Sequence, residues 1–216
     1  AHGSTPALGI NAIETLMRVL PKLKALETEP VETPKDAEQL IREGQKELTL
    51  TARKQGVPAN SLTKTLTHYT VNVGVISGGT KANVVPEKCE AEVDVRVPAG
   101  GNPEGVEEFI KNLLPEKAEY EVINKTMPSY TTANHQLVKV AQESVERILH
   151  YRPRATYIPA TSDAPFFREV LGIPTVSFGP GYMELFHAYD EFVHLRDVQG
   201  AAKVYASMIA ELIGER

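Results

Sequence analysis

Two stretches of the chain alternate apolar and polar residues with a period of two, over residues 66–77 and 88–97. The apolar positions are Tyr69, Val71, Val73 and Val75 in the first stretch, and Cys89, Ala91, Val93, Val95 and Val97 in the second. Successive side chains of a strand point to opposite faces, so the pattern predicts two strands with one buried and one polar face. Residues 78–86 between them are too many for a tight hairpin turn and predict a longer loop.

Helical signals surround this strand pair. Thr5 can cap a helix that begins near Pro6, and Asn102 can cap another that has Pro103 in its first turn. The predicted elements are helices from about Pro6, from after Pro34 to near Gly56, and over 103–114, loops over 27–35 and 57–64, and a short strand over 118–124. Residues 1–125 are therefore expected to form an antiparallel sheet with helices on one face.

After Lys125 the pattern changes to strands that alternate with helices. Helices are predicted over 135–150, 164–171 and 195–214, and apolar strands over 155–159 and 173–178. Such alternation favours a parallel or mixed sheet with helices outside. The expected fold class is α/β, with a domain boundary near residue 125 that separates residues 1–125 from 126–216.

Composition excludes several classes of protein. The 216 residues carry a net charge of -5, with acidic and basic residues mixed throughout, and no basic stripe typical of nucleic-acid binders. No apolar run approaches the roughly 20 residues that span a membrane. Cys89 is the only cysteine, so an internal disulfide is impossible, which favours a reducing compartment such as the cytoplasm.

The segment 179–191, which follows a predicted buried strand, holds the richest set of candidate ligands. A neutral imidazole is the commonest zinc ligand in proteins, and Asp190 and Glu191 lie close enough in sequence to orient the ring of His187. The alternative is a surface histidine beside a capping acid. One histidine cannot bind zinc by itself, and the sequence has no His-x-x-x-His or Cys-x-x-Cys pair.

Three other positions have both a functional and an ordinary interpretation. Thr161, Ser162 and Asp163 precede a helix, whose N-terminus could bind an anion or simply be capped. Arg96 could hold a carboxylate through its planar fork, or form a solvated ion pair with Asp94. The residues alone therefore predict a two-domain α/β protein with a metal or anion site near 161–191.

Three ordered segments resemble one enzyme family. Residues 1–13, AHGSTPALGINAI, are similar to the loop that opens the lid domain of the di-zinc aminoacylases and carboxypeptidases, which include acetylornithine deacetylase, succinyl-diaminopimelate desuccinylase and the glutamate carboxypeptidases. The sequences GG at 78–79, NVVP at 83–86 and DVR at 94–96 resemble the lid's strand pair. The family's C-terminal signature is matched by SDA at 162–164, GIP at 172–174, GPG at 179–181 and His187 with Asp190 and Glu191.

The resemblance implies roles for individual residues. It implies that His187 ligates zinc, and that His2 reaches across a dimer to stabilise the oxyanion in the partner's site. Arg96 and Asn83 would hold the substrate carboxylate and carbonyl. The residues expected to line the substrate pocket are Thr161, Ser162 and Gly179. Two zinc ions per complete chain, with cobalt or manganese as substitutes, would activate the attacking water.

The family's His-x-Asp motif, bridging aspartate and Glu-Glu pair have no counterpart in this sequence. We therefore expect a lid domain plus the C-terminal part of a catalytic domain, inactive alone, from a cytoplasmic, homodimeric metallopeptidase or deacylase of amino-acid metabolism. It would hydrolyse amide bonds in N-acyl amino acids or small peptides, and bind neither nucleic acid nor membrane. The alternative is a non-catalytic dimerisation or amino-acid-binding module, which metal content would distinguish. A phosphate-binding protein lacks support because there is no Gly-rich phosphate loop.

Overall fold

The structure, a computed structural model, describes residues 1–158, 160, 162–182, 185–186 and 188–214. The chain forms two compact units: residues 1–32 with 67–127, and residues 33–66 with 128–216. This division differs from the single expected boundary near residue 125, because residues 33–66 pack with the second unit. The assignment of the units to a lid and a catalytic domain remains a prediction.

The two alternating stretches form an antiparallel pair, β1 (Thr70–Gly78) and β2 (Cys89–Arg96). This confirms the predicted mixed α/β class with an antiparallel sheet. Val73 pairs with Val93, but the next pair is Val75 with Glu92, so Gly74 is an extra residue that forms a bulge. The bulge moves Val75 off the face where simple alternation predicted it, and its side chain is 51% exposed.

Two helices flank this pair in the first unit. Helix α1 (Ala12–Leu23) begins at Asn11, whose side chain accepts a hydrogen bond from the Glu14 amide. The predicted start at Pro6 is wrong: Pro6–Leu8 forms only a 3-10 turn, and the Thr5 hydroxyl donates to the His2 carbonyl instead of capping a helix. Helix α4 (Pro103–Leu113) begins as predicted, with the Asn102 side chain accepting from the Glu104 amide.

The strand expected over 118–124 is absent, since those residues make no ladder with β1 or β2 in the described chain. Side-chain bonds to Glu107 of α4 attach this segment instead. The Tyr120 hydroxyl donates to the Glu107 carboxylate at 3.0 Å, and the Lys125 ammonium donates to the same carboxylate at 3.2 Å. Hydrogen bonds from Lys111, Tyr120 and Lys125 lower the pKa of Glu107 to about 2, so the carboxylate stays charged in neutral and mildly acidic solution.

The second unit is built mainly from helices, α2 (Glu38–Gln55), α3 (Ala59–Thr63), α5 (Gln136–Leu149) and α6 (Leu195–Gly214). Helix α2 ends at Gly56, which has the left-handed φ of 67° that favours glycine at this position. The loop expected over 57–64 is wrong, because α3 and the 3-10 turn Lys64–Leu66 occupy it. Helices α5 and α6 pack through a core of Val140, Val145, Val204 and Met208.

The strands expected over 155–159 and 173–178 are also wrong for the residues described, which belong to no ladder there. Side chains form hydrogen bonds with part of the backbone of the second of these segments. The Thr131 hydroxyl donates to the Thr175 carbonyl at 2.8 Å and accepts from the Thr175 amide at 3.0 Å. The Arg168 guanidinium donates to the same carbonyl at 3.0 Å. The helix expected over 164–171 is a short turn followed by the single π turn Phe166–Val170.

Within the described residues, no helix combines the length and the apolar character needed to cross a membrane.

Gly44 of α2 determines how closely residues 33–66 approach the rest of the second unit. A Cβ at Gly44 would lie 2.5 Å from the Tyr157 carbonyl oxygen and 3.1 Å from Leu66 Cδ1. The Tyr157 amide donates to the Leu40 carbonyl at 3.0 Å in the same contact. We expect Gly44→Ala to lower the free energy of unfolding by about 1–3 kcal/mol through overpacking, although alanine is the better helix former.

Gly214→Ala is the matched control, since nothing lies within 4 Å of a Cβ at this helical glycine. It should be neutral or slightly stabilising. Urea unfolding of both variants measures the difference, and equal stability of the two would contradict the proposed close packing at Gly44.

Candidate functional site

Two of the expected site residues, His2 and Asn83, lie side by side in the first unit. The Gly3 amide donates to the Asn83 carbonyl at 2.7 Å, and the Val85 amide donates to the Ala1 carbonyl at 2.9 Å. Between these bonds, His2 and Val84 form an isolated antiparallel bridge. We call the two segments joined in this way, residues 1–3 and 83–85, the clasp.

The clasp depends on the absence of a side chain at Gly3. A Cβ there would lie 2.9 Å from the Asn83 carbonyl carbon and 3.0 Å from its Cα and carbonyl oxygen, all of them backbone atoms. Backbone cannot move aside as a flexible side chain can. A third bond, from the Ala12 amide to the Pro86 carbonyl at 2.9 Å, joins the start of α1 to the same loop.

Local bonds orient the His2 ring. Its Nδ1 accepts a hydrogen bond from the Ser4 amide at 3.1 Å and lies 2.7 Å from Ser4 Oγ. The Thr5 amide donates to the His2 carbonyl at 3.0 Å and closes the turn. These bonds engage Nδ1 and leave Nε2 as the ring atom for an external partner. Sequence reasoning missed Ser4, because the bond from its backbone amide to the His2 ring depends on the conformation of the turn and not on a sequence motif.

Arg96 lies far from the clasp along the hairpin. It pairs with Thr70 at the end of β2 opposite to the loop that contains Asn83. Strand β2 has eight residues, so at about 3.3 Å per residue its two ends are about 23 Å apart. The guanidinium forms an ion pair with Asp94 at 2.5 Å, and both side chains are nearly half exposed. Such a pair contributes little to stability.

In the second unit, the Ser162 hydroxyl accepts a hydrogen bond from the Ala164 amide at 3.2 Å. This is the local capping bond of the ordinary interpretation. Gly179 is exposed and follows Phe178, whose carbonyl accepts a hydrogen bond from the Tyr205 hydroxyl. Thr161 and His187 lie outside the described residues, so their expected roles stay predictions.

The described part of the chain brings no group of three or more His, Cys, Asp or Glu side chains together in a way that could hold a metal ion. These residues therefore do not form a zinc site by themselves, and we assign no chemical step to a metal.

An aromatic cluster that the sequence analysis did not predict lies in the second unit. Tyr182, Phe192 and His194 form it, with ring centroids 5.3 Å to 6.3 Å apart. The Phe192 side chain is 52% exposed, so part of its apolar surface stays accessible in this unit.

Residues 1–121 match the family model described as the M20 peptidase dimerisation domain. Over 216 residues the chain is 26% identical to the acetylornithine deacetylase of Yersinia pestis, a match that covers 96% of this chain and 47% of the relative. Over 155 residues it is 30% identical to the acetylornithine deacetylase of Myxococcus xanthus, a match that covers 68% of this chain and 39% of that relative. The chain thus spans about half the length, or less, of these curated relatives.

Two solved structures are similar in fold. An M20 family metallo-carboxypeptidase from Sulfolobus solfataricus matches with a TM-score of 0.75 at 22% identity, over 96% of this chain and 54% of that one. The di-peptidase Dug1p from Saccharomyces cerevisiae matches with a TM-score of 0.60 at 15% identity, over 95% and 50%.

We expect Gly3→Ala to open the clasp, because the new methyl group would collide with the Asn83 backbone. The Val85 amide, which donates to the Ala1 carbonyl in the clasp, should then exchange its hydrogen faster in native-state hydrogen exchange. The Val71 amide, which donates to the Glu27 carboxylate elsewhere in the unit, serves as the internal control. Unchanged hydrogen exchange at the Val85 amide would mean that a methyl group at position 3 fits against the Asn83 backbone without opening the clasp.

Proposed function

Since its residues 1–121 match the M20 peptidase dimerisation domain, the chain belongs to the M20 family, and we propose that it is part of a metal-dependent amide hydrolase. The substrates would be N-acyl amino acids or small peptides. This proposal is carried by the family match over residues 1–121, a range that includes His2 and both segments of the clasp. Alignments to acetylornithine deacetylases that cover 96% of the chain support the deacylase class.

The protein would act as a homodimer in which each catalytic site combines residues of both subunits. Arg96 and His2 lie near opposite ends of the hairpin, and the length of β2 between these ends is about 23 Å. A substrate of two or three residues spans at most about 10 Å. The two side chains of one chain are therefore too far apart to hold the same substrate. A two-fold dimer removes this conflict, because it can bring His2 of one subunit to a site that takes Arg96 from the other.

His2 would donate a hydrogen bond to the oxyanion that forms when water attacks the amide carbon. Its Nδ1 is engaged by Ser4, which leaves Nε2 for the substrate. A preorganised donor aimed at developing charge is often among the largest contributions to catalysis. Asn83, joined to Gly3 in the clasp, would bind the substrate carbonyl from the neighbouring position.

Arg96 would bind the free carboxylate of the substrate. A guanidinium presents a planar fork of N–H donors that matches a carboxylate, and an exposed ion pair such as that with Asp94 is weak enough for a substrate carboxylate to replace it. The half-exposed position of Arg96 on the polar face of β2 leaves such a ligand access.

The second unit would contribute the remaining contacts. We propose His187 as a metal ligand, and Thr161, Ser162 and Gly179 as residues that line the substrate pocket. Zinc, with cobalt or manganese as substitutes, is proposed from the sequence resemblance to the di-zinc aminoacylases and carboxypeptidases. The similar metallo-carboxypeptidase supports a metal requirement without naming the metal.

The whole protein that contains this chain should hydrolyse members of a panel of N-acyl amino acids and dipeptides, and lose this activity on chelation of its metal. Metal content by mass spectrometry and rates with and without added zinc measure both effects. A metal-free protein that is unaffected by chelators and hydrolyses no member of the panel would instead favour the non-catalytic dimerisation or amino-acid-binding module.

Subunit exchange tests whether His2 acts across the dimer. His2→Ala should lower kcat by about 10²–10³, the usual cost of losing one oxyanion donor. His187→Ala should inactivate the site to which that metal ligand belongs. In an equal mixture refolded together, half of the dimers are mixed and each has one intact site, so about a quarter of the wild-type activity should return.

His150→Asn is the control variant, because His150 is exposed at the end of α5 and has a left-handed φ that asparagine tolerates. It should retain full activity. If the mixture of inactive variants recovers nothing, His2 acts within its own subunit and the proposed exchange fails.

A further inference from the structure

We propose that Ser4 is the positioning residue that holds the His2 imidazole in the tautomer with its proton on Nε2. The tautomer follows from the geometry of the turn alone, whereas its catalytic meaning rests on the proposed function. Ser4 itself would contact His2, and would act on the substrate only through that ring.

The direction of one hydrogen bond determines the tautomer. The Ser4 amide lies 3.1 Å from His2 Nδ1, and a backbone N–H can only donate. Nδ1 must therefore accept through its lone pair and cannot carry a proton in this arrangement. A neutral imidazole has one N–H, so the proton is on Nε2. Ser4 Oγ, 2.7 Å from the same nitrogen, can add a second donor.

The opposite tautomer would disturb the turn. With a proton on Nδ1, the ring N–H and the Ser4 N–H would point at each other, and only the hydroxyl oxygen could still accept. The ring would also present an Nε2 lone pair to the substrate, which repels a developing oxyanion. The tautomer that Ser4 selects is thus the one that can donate a hydrogen bond at the outer edge of the ring.

Backbone contacts fix Ser4 relative to the ring. Residues 2–5 form a turn that the bond from the Thr5 amide to the His2 carbonyl closes at 3.0 Å. Within the same turn, the bond from Gly3 to Asn83 holds the chain against the neighbouring loop at 2.7 Å. The ring therefore takes its orientation from a turn that is attached to the rest of the unit.

Nitrogen-15 NMR of the histidine-labelled chain tests the tautomer without any activity measurement. The shifts of the His2 ring should identify Nδ1 as the unprotonated nitrogen and Nε2 as the protonated one. Ser4→Ala removes the hydroxyl donor and should lower the ratio of the two tautomers about two- to fivefold, the usual effect of one hydrogen bond. Ser4→Thr restores a hydroxyl and should restore the ratio.

Thr5→Ala is the matched control, because the Thr5 hydroxyl donates to the His2 carbonyl and not to the ring. It should leave the ring shifts unchanged. A protonated Nδ1 in the wild-type chain, or equal effects of Ser4→Ala and Thr5→Ala, would overturn the proposal.

Kinetics of the whole protein separate this inference from the function it deepens. Ser4→Ala should lower kcat by no more than the factor by which it lowers the tautomer ratio, with little change in KM, and Ser4→Thr should recover it. If the NMR result holds but His2→Ala leaves kcat unchanged, the proposed function of His2 fails and the tautomer assignment stands. If His2→Ala lowers kcat but the NMR result is reversed, Ser4 is not the positioning residue.

Discussion

The clasp is the interaction on which the geometry of the candidate site depends. Two backbone hydrogen bonds, from Gly3 to Asn83 and from Val85 to Ala1, join segments that are distant in sequence. Backbone bonds specify position largely independently of side-chain identity, although position 3 requires glycine. His2 and Asn83 are therefore placed together by main-chain atoms, while their side chains remain exposed and available for chemistry.

The strand pair determines the separation between Arg96 and the clasp. It places Arg96 at one end of β2 and the clasp loop beyond the other, a separation that no small substrate can bridge. Under the proposed function, a catalytic site that uses both Arg96 and the clasp would combine residues of two copies of the chain. This physical argument agrees with the name of the family, which describes residues 1–121 as a dimerisation domain.

Sequence predicts best those features that are determined by neighbouring residues. The Asn102 cap of α4 and the Gly56 end of α2 were predictable because a side chain or a glycine acts there on its own backbone. The bulge at Gly74 was not, since it depends on the register of a partner strand. The apolar residues of 173–178 predicted a strand, but a ladder also requires a neighbouring strand, and the Thr131 hydroxyl bonds part of that backbone instead.

For the site, the resemblance predicts roles for His2 and Asn83, but only the structure brings them together, and only the structure shows Ser4 as the ring's partner. The same difference between local and long-range information applies to residues 33–66, which the structure places in the second unit. The apolar face of α2 predicts burial, yet it does not name the surface that buries it, and the contact of Gly44 with the Tyr157 backbone decides this. In the first unit, then, buried side chains stabilise the scaffold and backbone bonds position an exposed site. Exposed positions such as Asn83 and Arg96, which the proposed function places at the substrate, can therefore be substituted without loss of the fold.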